Sequence, residues 1–374
     1  MPFSGIKKNG GMQNQMIKVM IVDDSKTVRE LLQSLLERDS NIEVSATAQS
    51  AEEALEILKS KTPDIITMDL HLPGMSGLSV TEKIMSERPV PIIIVTADSE
   101  SALQGFKLIE AGAVAVLETP PAPGHPQHRT SADLLLRTVK SLAGVKLVRR
   151  TKQVRRDTTK LSGQHSTTLA PRQEKKIVLI GASTGGPQTI KNIVDELPPN
   201  FAWPIVCVQH MAHGFLPGFV SWLNESKTVK AKIIQDQEII EPGCFYLAPD
   251  DYHLGLKSSG KAYLSSEPKE YGMRPSVSFL YRSVASFAHS TIAILLTGMG
   301  RDGAEEMGII LKKGGLTIAQ DQASSIVFGM PAEAIALGNA SEVLPANMIA
   351  ARLRMLARNT VKDTDSDDLV FKRS

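Results

Sequence analysis

The feature that most restricts what this chain can fold into is an alternation of short apolar runs with helical patterns, played through twice around one polar stretch. In the first series the run Ile17 to Val22 ends in Asp23-Asp24. A helical pattern follows in which Val28, Leu31, Leu32, Leu35 and Leu36 share a face. The series continues with strand 42–46, helix 51–59, strand 64–68, helix 78–86, strand 92–95, helix 101–110 and strand 113–117. Ile92-Ile93-Ile94-Val95 is apolar throughout, as a strand covered on both faces must be. Alternation of this kind implies right-handed crossovers and a doubly wound parallel sheet. Pro120-Pro121-Ala122-Pro123-Gly124 breaks the pattern, and an amphipathic helix from Ser131 to about Leu147 is predicted to close the unit. A second series begins at strand 177–180 and runs through strands 205–208, 232–235, 245–248, 291–296 and 317–319.

The predicted fold class is therefore α/β twice over. A polar leader (1–15) precedes a (βα)5 domain (16–147), and a linker (148–175) leads to a second doubly wound, mostly parallel domain (176–358) and a polar tail (359–374). A chain of 374 residues with 42% hydrophobic residues is long and apolar enough for two cores. The linker carries Arg149-Arg150 and Arg155-Arg156 in a stretch without apolar periodicity, which reads as a solvated tether. A formal net charge of +2 gives no field for nucleic acid. Two cysteines, Cys207 and Cys244, provide neither a disulfide framework nor a zinc set, and are read as reduced core residues. No apolar run is long enough to insert in a bilayer, and the leader lacks a signal-peptide core, so the expected location is cytoplasmic.

Ligands of doubly wound sheets bind beyond the carboxyl ends of the strands. In the first domain those ends carry Asp23 and Asp24, Asp69, and Thr96. Convergent carboxylates repel one another unless a cation compensates, and hard oxygen ligands suit Mg²⁺. With the ion in place Asp69 is a candidate nucleophile toward a phosphoryl group, with Thr96 as hydrogen-bond donor. Any one of these acids alone reads more readily as a helix cap or turn residue. Together with Met68-Asp69-Leu70 and Pro73-Gly74-Met75-Ser76-Gly77-Leu78 they make residues 17–147 resemble a two-component receiver domain, which is flavodoxin-like. The resemblance implies that Asp69 accepts phosphate from a histidine kinase, that Asp24 and Asp69 hold Mg²⁺, and that Asp23 supports them. Two departures stand out. Receivers usually carry a Lys before the Pro that follows the fifth strand, where this chain has Thr119 in Glu118-Thr119-Pro120, and Val116 occupies the place of an aromatic switch residue. Phosphorylation at Asp69 is then expected to couple weakly to output or to follow another route.

In the second domain the strand 177–180 runs into Gly181-Ala182-Ser183-Thr184-Gly185-Gly186-Pro187 and a helical pattern. A Ser between small residues at such a turn fits the G-x-S-x-G elbow, and a Gly turn here also fits a phosphate cradle. The P-loop Lys and a clean G-x-G-x-x-G are missing, which weakens the nucleotide reading. A serine nucleophile needs a base on the same sheet edge. His210 ends the run Pro204 to Gln209, and the Gly-rich loop after Leu296 offers Asp302 to orient it. The other histidines, among them His71, His125, His128, His165, His213, His253 and His289, read as surface or packing residues. The order Ser, His, Asp differs from that of α/β-hydrolases.

Six segments then converge on one family. They are Gly181 to Gly186, Gln209-His210-Met211, Leu247-Ala248-Pro249, Arg274-Pro275-Ser276-Val277, Leu296 to Gly300 with Asp302-Gly303, and Ile318 to Asp321 with Val327 to Pro331. Residues 177–355 resemble the catalytic domain of the chemotaxis response-regulator methylesterase, CheB. The resemblance implies a triad of Ser183, His210 and Asp302 and an oxyanion hole of backbone N–H groups near Thr184 and Met299. The implied reaction is metal-free hydrolysis of glutamyl methyl esters, with deamidation of glutamines as a second activity, on chemoreceptor cytoplasmic helices. It also implies that the receiver covers the catalytic mouth until phosphorylated. Ala212-His213-Gly214-Phe215 and Ser278 depart from the family's usual residues, so substrate contacts are expected to differ. Two competing readings remain at this level: a non-catalytic response-regulator scaffold and a nucleotide-binding enzyme.

Overall fold

The computed structural model describes residues 16–97, 102–145, 176–199 and 201–362; the expected leader, the linker with its arginines and His165, and the end of the tail lie outside the described residues. The first domain comprises β1 (Ile17–Val22), α1 (Lys26–Leu36), β2 (Ile42–Ala48), α2 (Ala51–Ser60), β3 (Ile65–Met68), α3 (Gly77–Glu87), β4 (Ile92–Thr96), α4 (Ala102–Ala111), β5 (Ala115–Glu118) and α5 (His128–Leu142). Its sheet has the order β2-β1-β3-β4-β5, parallel throughout. This is the flavodoxin-like winding, with its switch point between β1 and β3. Ser25, Ser50 and Ser76 each cap the helix that follows by accepting a backbone N–H, which fixes where α1, α2 and α3 begin.

The second domain comprises β6 (Ile177–Ala182), α6 (Gly186–Glu196), β7 (Ile205–Gln209), α7 (Leu216–Asn224), β8 (Lys230–Ile233), β9 (Cys244–Leu247), β10 (His253–Leu256), β11 (Ala262–Ser265), α8 (Val277–Ser283), β12 (Thr291–Leu295), α9 (Ala304–Lys312), β13 (Leu316–Gln320), α10 (Met330–Ala336), β14 (Glu342–Leu344) and α11 (Ala346–Lys362). Seven strands form a parallel sheet ordered β14-β13-β12-β6-β7-β9-β8, and β10 and β11 form a separate antiparallel hairpin. Connections leave β6 toward β7 on one side and reach β12 on the other. The winding therefore reverses at β6.

Some boundaries differ from expectation. α5 starts at His128 and stops at Leu142, because Ala143-Gly144 interrupts the helix where propensity falls by about 1 kcal/mol at the Gly. His128 thus opens this helix, three residues before the expected start at Ser131. α11 continues to Lys362, past the boundary expected after residue 358. The strand expected at 232–235 lies two residues earlier, and the short edge strand β14 was not foreseen. Among the described residues no helix is long and apolar enough to cross a membrane.

The domains share an apolar junction. Phe106 of α4 stacks on Trp222 of α7 at 5.4 Å between centroids, and the Trp222 indole N–H donates to the Glu110 carboxylate at 2.8 Å. Phe106 and Ile109 are buried within the same apolar cluster as Phe215, Phe219 and Trp222. Ile326 and Val327, in the loop after β13, pack on the first domain's core. Truncating Phe106 to Ala is expected to weaken this junction by about 3 kcal/mol. The readout is faster amide exchange in α4 and α7 with β1, β3 and β12 unchanged; identical exchange in both proteins would show that the stacked rings do not hold the domains together.

Candidate active site

Ser183, His210 and Asp302 follow β6, β7 and β12, the three adjacent strands around the reversal of winding. The ladder extends beyond the strands and fixes their ends relative to one another. The Ser183 N–H donates to Thr297 O at 3.1 Å, the His210 N–H to Ala182 O at 2.9 Å, and the Leu296 N–H to Gly181 O at 2.9 Å. Close approach here demands glycine. A Cβ on Gly298 would lie 2.7 Å from the Ser183 Cβ and 2.5 Å from the Met330 sulfur. The Gly turn is not an open phosphate cradle. Gly185, at φ +79°, faces the Ile326 side chain, 2.6 Å from where a Cβ would stand.

The structure brings His210 and Asp302 together. His210 Nε2 lies 3.0 Å from Asp302 Oδ2, with both side chains about 5% exposed or less. Asp302 also accepts from Ser276 Oγ (2.9 Å), Val277 N–H (2.8 Å) and Ser278 N–H (2.8 Å). Burial pushes this carboxyl up, but the His210 contact and the backbone donors outweigh it and hold the group down at about 2. An ionised carboxylate can only accept, so Nε2 carries a proton in this contact, which turns Nδ1 away from Asp302. The Ser183 hydroxyl makes no hydrogen bond among the described residues, and neither do the N–H groups of Thr184 and Met299. Ser183, Thr184 and His210 line a cavity of about 80 Å³ whose opposite wall is Phe106, Val116 and Leu134 of the first domain.

At the other site, Asp23, Asp24, Asp69 and Thr96 gather at the ends of β1, β3 and β4. Asp23 is 4% exposed, and burial lifts its carboxyl to about 6, helped by the charges of Asp69 and Asp24. Burial also raises Asp69, whose Oδ1 accepts from the Leu70 N–H at 2.7 Å. Neighbouring carboxylates that raise one another in this way are a donor set that a hard cation relieves. No group of three or more His, Cys, Asp and Glu side chains among the described residues is placed to hold a metal ion alone. Mg²⁺ fits such a site, since it takes one or two carboxylates and fills its octahedron with water and phosphoryl oxygens. Position 119 is a threonine and brings no ammonium to the site; its backbone N–H donates to Thr96 O.

Sequence reasoning passed over several groups that touch the site. Ser276 caps α8 and binds Asp302, and its signal was a Ser beside Pro275 in a family segment. Thr297 Oγ1 holds Thr184 O at 2.9 Å. His71 was read as a surface or packing residue and is exposed; its backbone N–H, like that of Leu70, opposes the rise that burial gives the Asp69 carboxyl. His213 pairs with Asp251 at 3.4 Å, largely exposed, and His253 stacks on Phe279, as surface and packing residues do.

Family comparison follows the same division of the chain. The CheB methylesterase family matches residues 178–353 and the response regulator receiver domain matches residues 19–125. A protein-glutamate methylesterase/protein-glutamine glutaminase of Nitrosospira multiformis is 43% identical over 344 residues, covering 91% of this chain and 97% of its own length. The chain belongs to the protein-glutamate methylesterase/protein-glutamine glutaminase family. A second member of the family, from Geobacter metallireducens, is 44% identical over 91% of the chain and 99% of its own. The solved CheB methylesterase catalytic domain of Thermotoga maritima is 42% identical and covers 49% of this chain and 98% of its own, at a TM-score of 0.47.

The depressed Asp302 carboxyl has a thermodynamic consequence. Its ordinary value is 3.8 and its folded value about 2, so its stabilising effect is full above the first and is lost as pH falls through the second. The stability advantage of wild type over Asp302→Asn should shrink by about 2 kcal/mol between pH 5 and pH 2. Denaturant titrations at the two pH values measure this, and a constant difference would refute the assigned pairing.

Proposed function

We propose that the chain carries out its family's reaction, hydrolysis of protein glutamyl methyl esters, through an acyl-enzyme on Ser183. The observation that carries this reading is the buried, ionised Asp302 bound to His210 at 3.0 Å on the sheet edge that presents Ser183. Ser183 Oγ attacks the side-chain carbonyl carbon while His210 Nδ1 takes its proton. The developing oxyanion accepts from the N–H groups of Thr184 and Met299. His210 returns the proton to the departing oxygen, and methanol leaves. Water, deprotonated by the same imidazole, then releases the glutamate carboxylate. Asp302 orients the ring and balances its transient charge. A glutamine substrate follows the same steps with ammonia as leaving group.

The substrates under this reading are cytoplasmic chemoreceptor helices, which places the protein in the cytoplasm. The receiver domain would take phosphate on Asp69 from a histidine kinase. Asp24 and Asp69 would hold Mg²⁺, which when bound neutralises charge around a phosphoryl group. Asp23 supports them, and the Thr96 hydroxyl donates to the phosphoryl oxygen. The junction supports a regulatory role, because Phe106, Val116 and Leu134 of the receiver share the lining of the cavity that holds Ser183. Domain limits of 16–147 and 176–358 suit this division of labour.

Methanol release from methylated receptor tests the reading. Ser183→Ala should lose at least about 10³-fold in kcat; retained activity would reject the serine mechanism. Residues 170–374 alone should be faster than the full chain, and equal rates would reject covering by the receiver. Phosphodonor treatment should change the wild-type rate little, given Thr119 and Val116, and a strong activation absent in Asp69→Asn would overturn weak coupling.

A further inference from the structure

Gln209 ends β7 and is 5% exposed, the one amide at the carboxyl end of an otherwise apolar strand. Its side-chain nitrogen donates twice, to Ser183 O at 2.9 Å and to His210 O at 2.7 Å. Both partners are carbonyl oxygens, so the amide cannot be turned around without setting oxygen against oxygen. Its own oxygen is buried with no partner among the described residues, against Gly186, where a Cβ would stand 2.1 Å away. A buried, unsatisfied amide oxygen costs about 1–3 kcal/mol, so the two bonds of the nitrogen are kept against that cost.

We propose that Gln209 is a positioning residue that sets the oxyanion hole and ties it to the catalytic base; this deepens the reading of Ser183 and His210 and rests on it. The argument is one of peptide geometry. In a planar trans peptide the C=O and the N–H point in opposite directions. The Ser183 carbonyl is pinned by Gln209 Nε2 and by the Gly186 N–H at 2.8 Å. The Thr184 N–H belongs to the same peptide unit and is thereby directed away from both, with no acceptor among the described residues. The second bond of the same nitrogen fixes the main chain of His210. One amide thus sets the relative placement of the oxyanion donor and the base.

The test uses the full-length chain and three variants. Gln209→Met keeps the length and volume of the side chain and removes the donor. Expected is a fall in kcat per titrated active site of about 10- to 100-fold, since loss of an oxyanion donor outright costs about 10²- to 10³-fold. KM for methylated receptor should stay within about twofold. Affinity for a boronic acid, whose tetrahedral adduct on Ser183 places an oxygen in the hole, should fall in parallel with kcat. A merely structural role would lower the melting temperature and the titrated fraction while leaving kcat per site and boronate affinity unchanged, and that result overturns the proposal. Should Gln209→Met not fold, Gly186→Ala displaces the amide from the other side; it should show the same split, and wild-type kcat in that variant likewise overturns the proposal. Ser183→Ala separates the two levels: if it stays active the serine reading fails, whereas an inactive Ser183→Ala beside a fully active Gln209→Met sinks the role of Gln209 alone.

Discussion

The parallel ladder β12-β6-β7 is the constraint on which the catalytic domain depends. Three strands in register deliver three loop starts to one edge, and backbone bonds continue past the strands to seat Ser183 between Thr297 O and the His210 segment. This spacing requires glycine where side chains would collide. A Cβ on Gly181 would meet Val277 at 2.4 Å, and one on Gly303 would meet the same side chain at 2.4 Å. Val277 is also the residue whose N–H holds Asp302. Packing of the sheet edge and positioning of the carboxylate are therefore one arrangement: α8 can present its first N–H groups to Asp302 only because two glycines let it approach.

The two carboxylate sites use burial in opposite ways. Asp302 is buried among four donors, so desolvation is more than offset and the group stays charged. Asp23 is buried with one backbone donor from Ser25 and two acidic neighbours, so desolvation prevails and the carboxyl binds its proton more tightly. The first arrangement is complete within the protein and suits an orienting group that must remain an anion through a catalytic cycle. The second is under-compensated and suits a site completed by a cation and a phosphoryl group.

Much of this was legible in the sequence because it is written in patterns of short range. Strand and helix order followed from apolar periodicity, and Ser183, His210 and Asp302 were each marked by their place after a strand. Ser276, Thr297 and Gln209 were not marked in that way. Their roles depend on which backbone carbonyl or carboxylate lies across the cleft, a long-range fact that local pattern does not carry. Gln209 still left a trace, as a polar side chain closing the apolar run Ile205 to Val208. α5 was misplaced because amphipathic spacing continues past Leu142 while Gly144 stops the helix.

The junction shows why the residue at 116 matters to the proposed regulation. β4 and β5 pair through Thr96 and Glu118, and the Thr119 N–H binds Thr96 O, so any displacement of Thr96 reaches β5 directly through the backbone. Val116 on that strand lines the cavity above Ser183 and packs against Gly105 of α4, 3.1 Å from where a Cβ would stand. The next residue of α4, Phe106, is the ring stacked on Trp222. Strand, helix and catalytic wall are therefore in direct contact. Shifting a closed junction to an open one across two decades on each side takes about 5.5 kcal/mol of differential stabilisation. No ammonium stands at position 119 and no aromatic ring at 116, so under the proposed regulation that difference would have to arise through the β4-β5 backbone and the α4 packing.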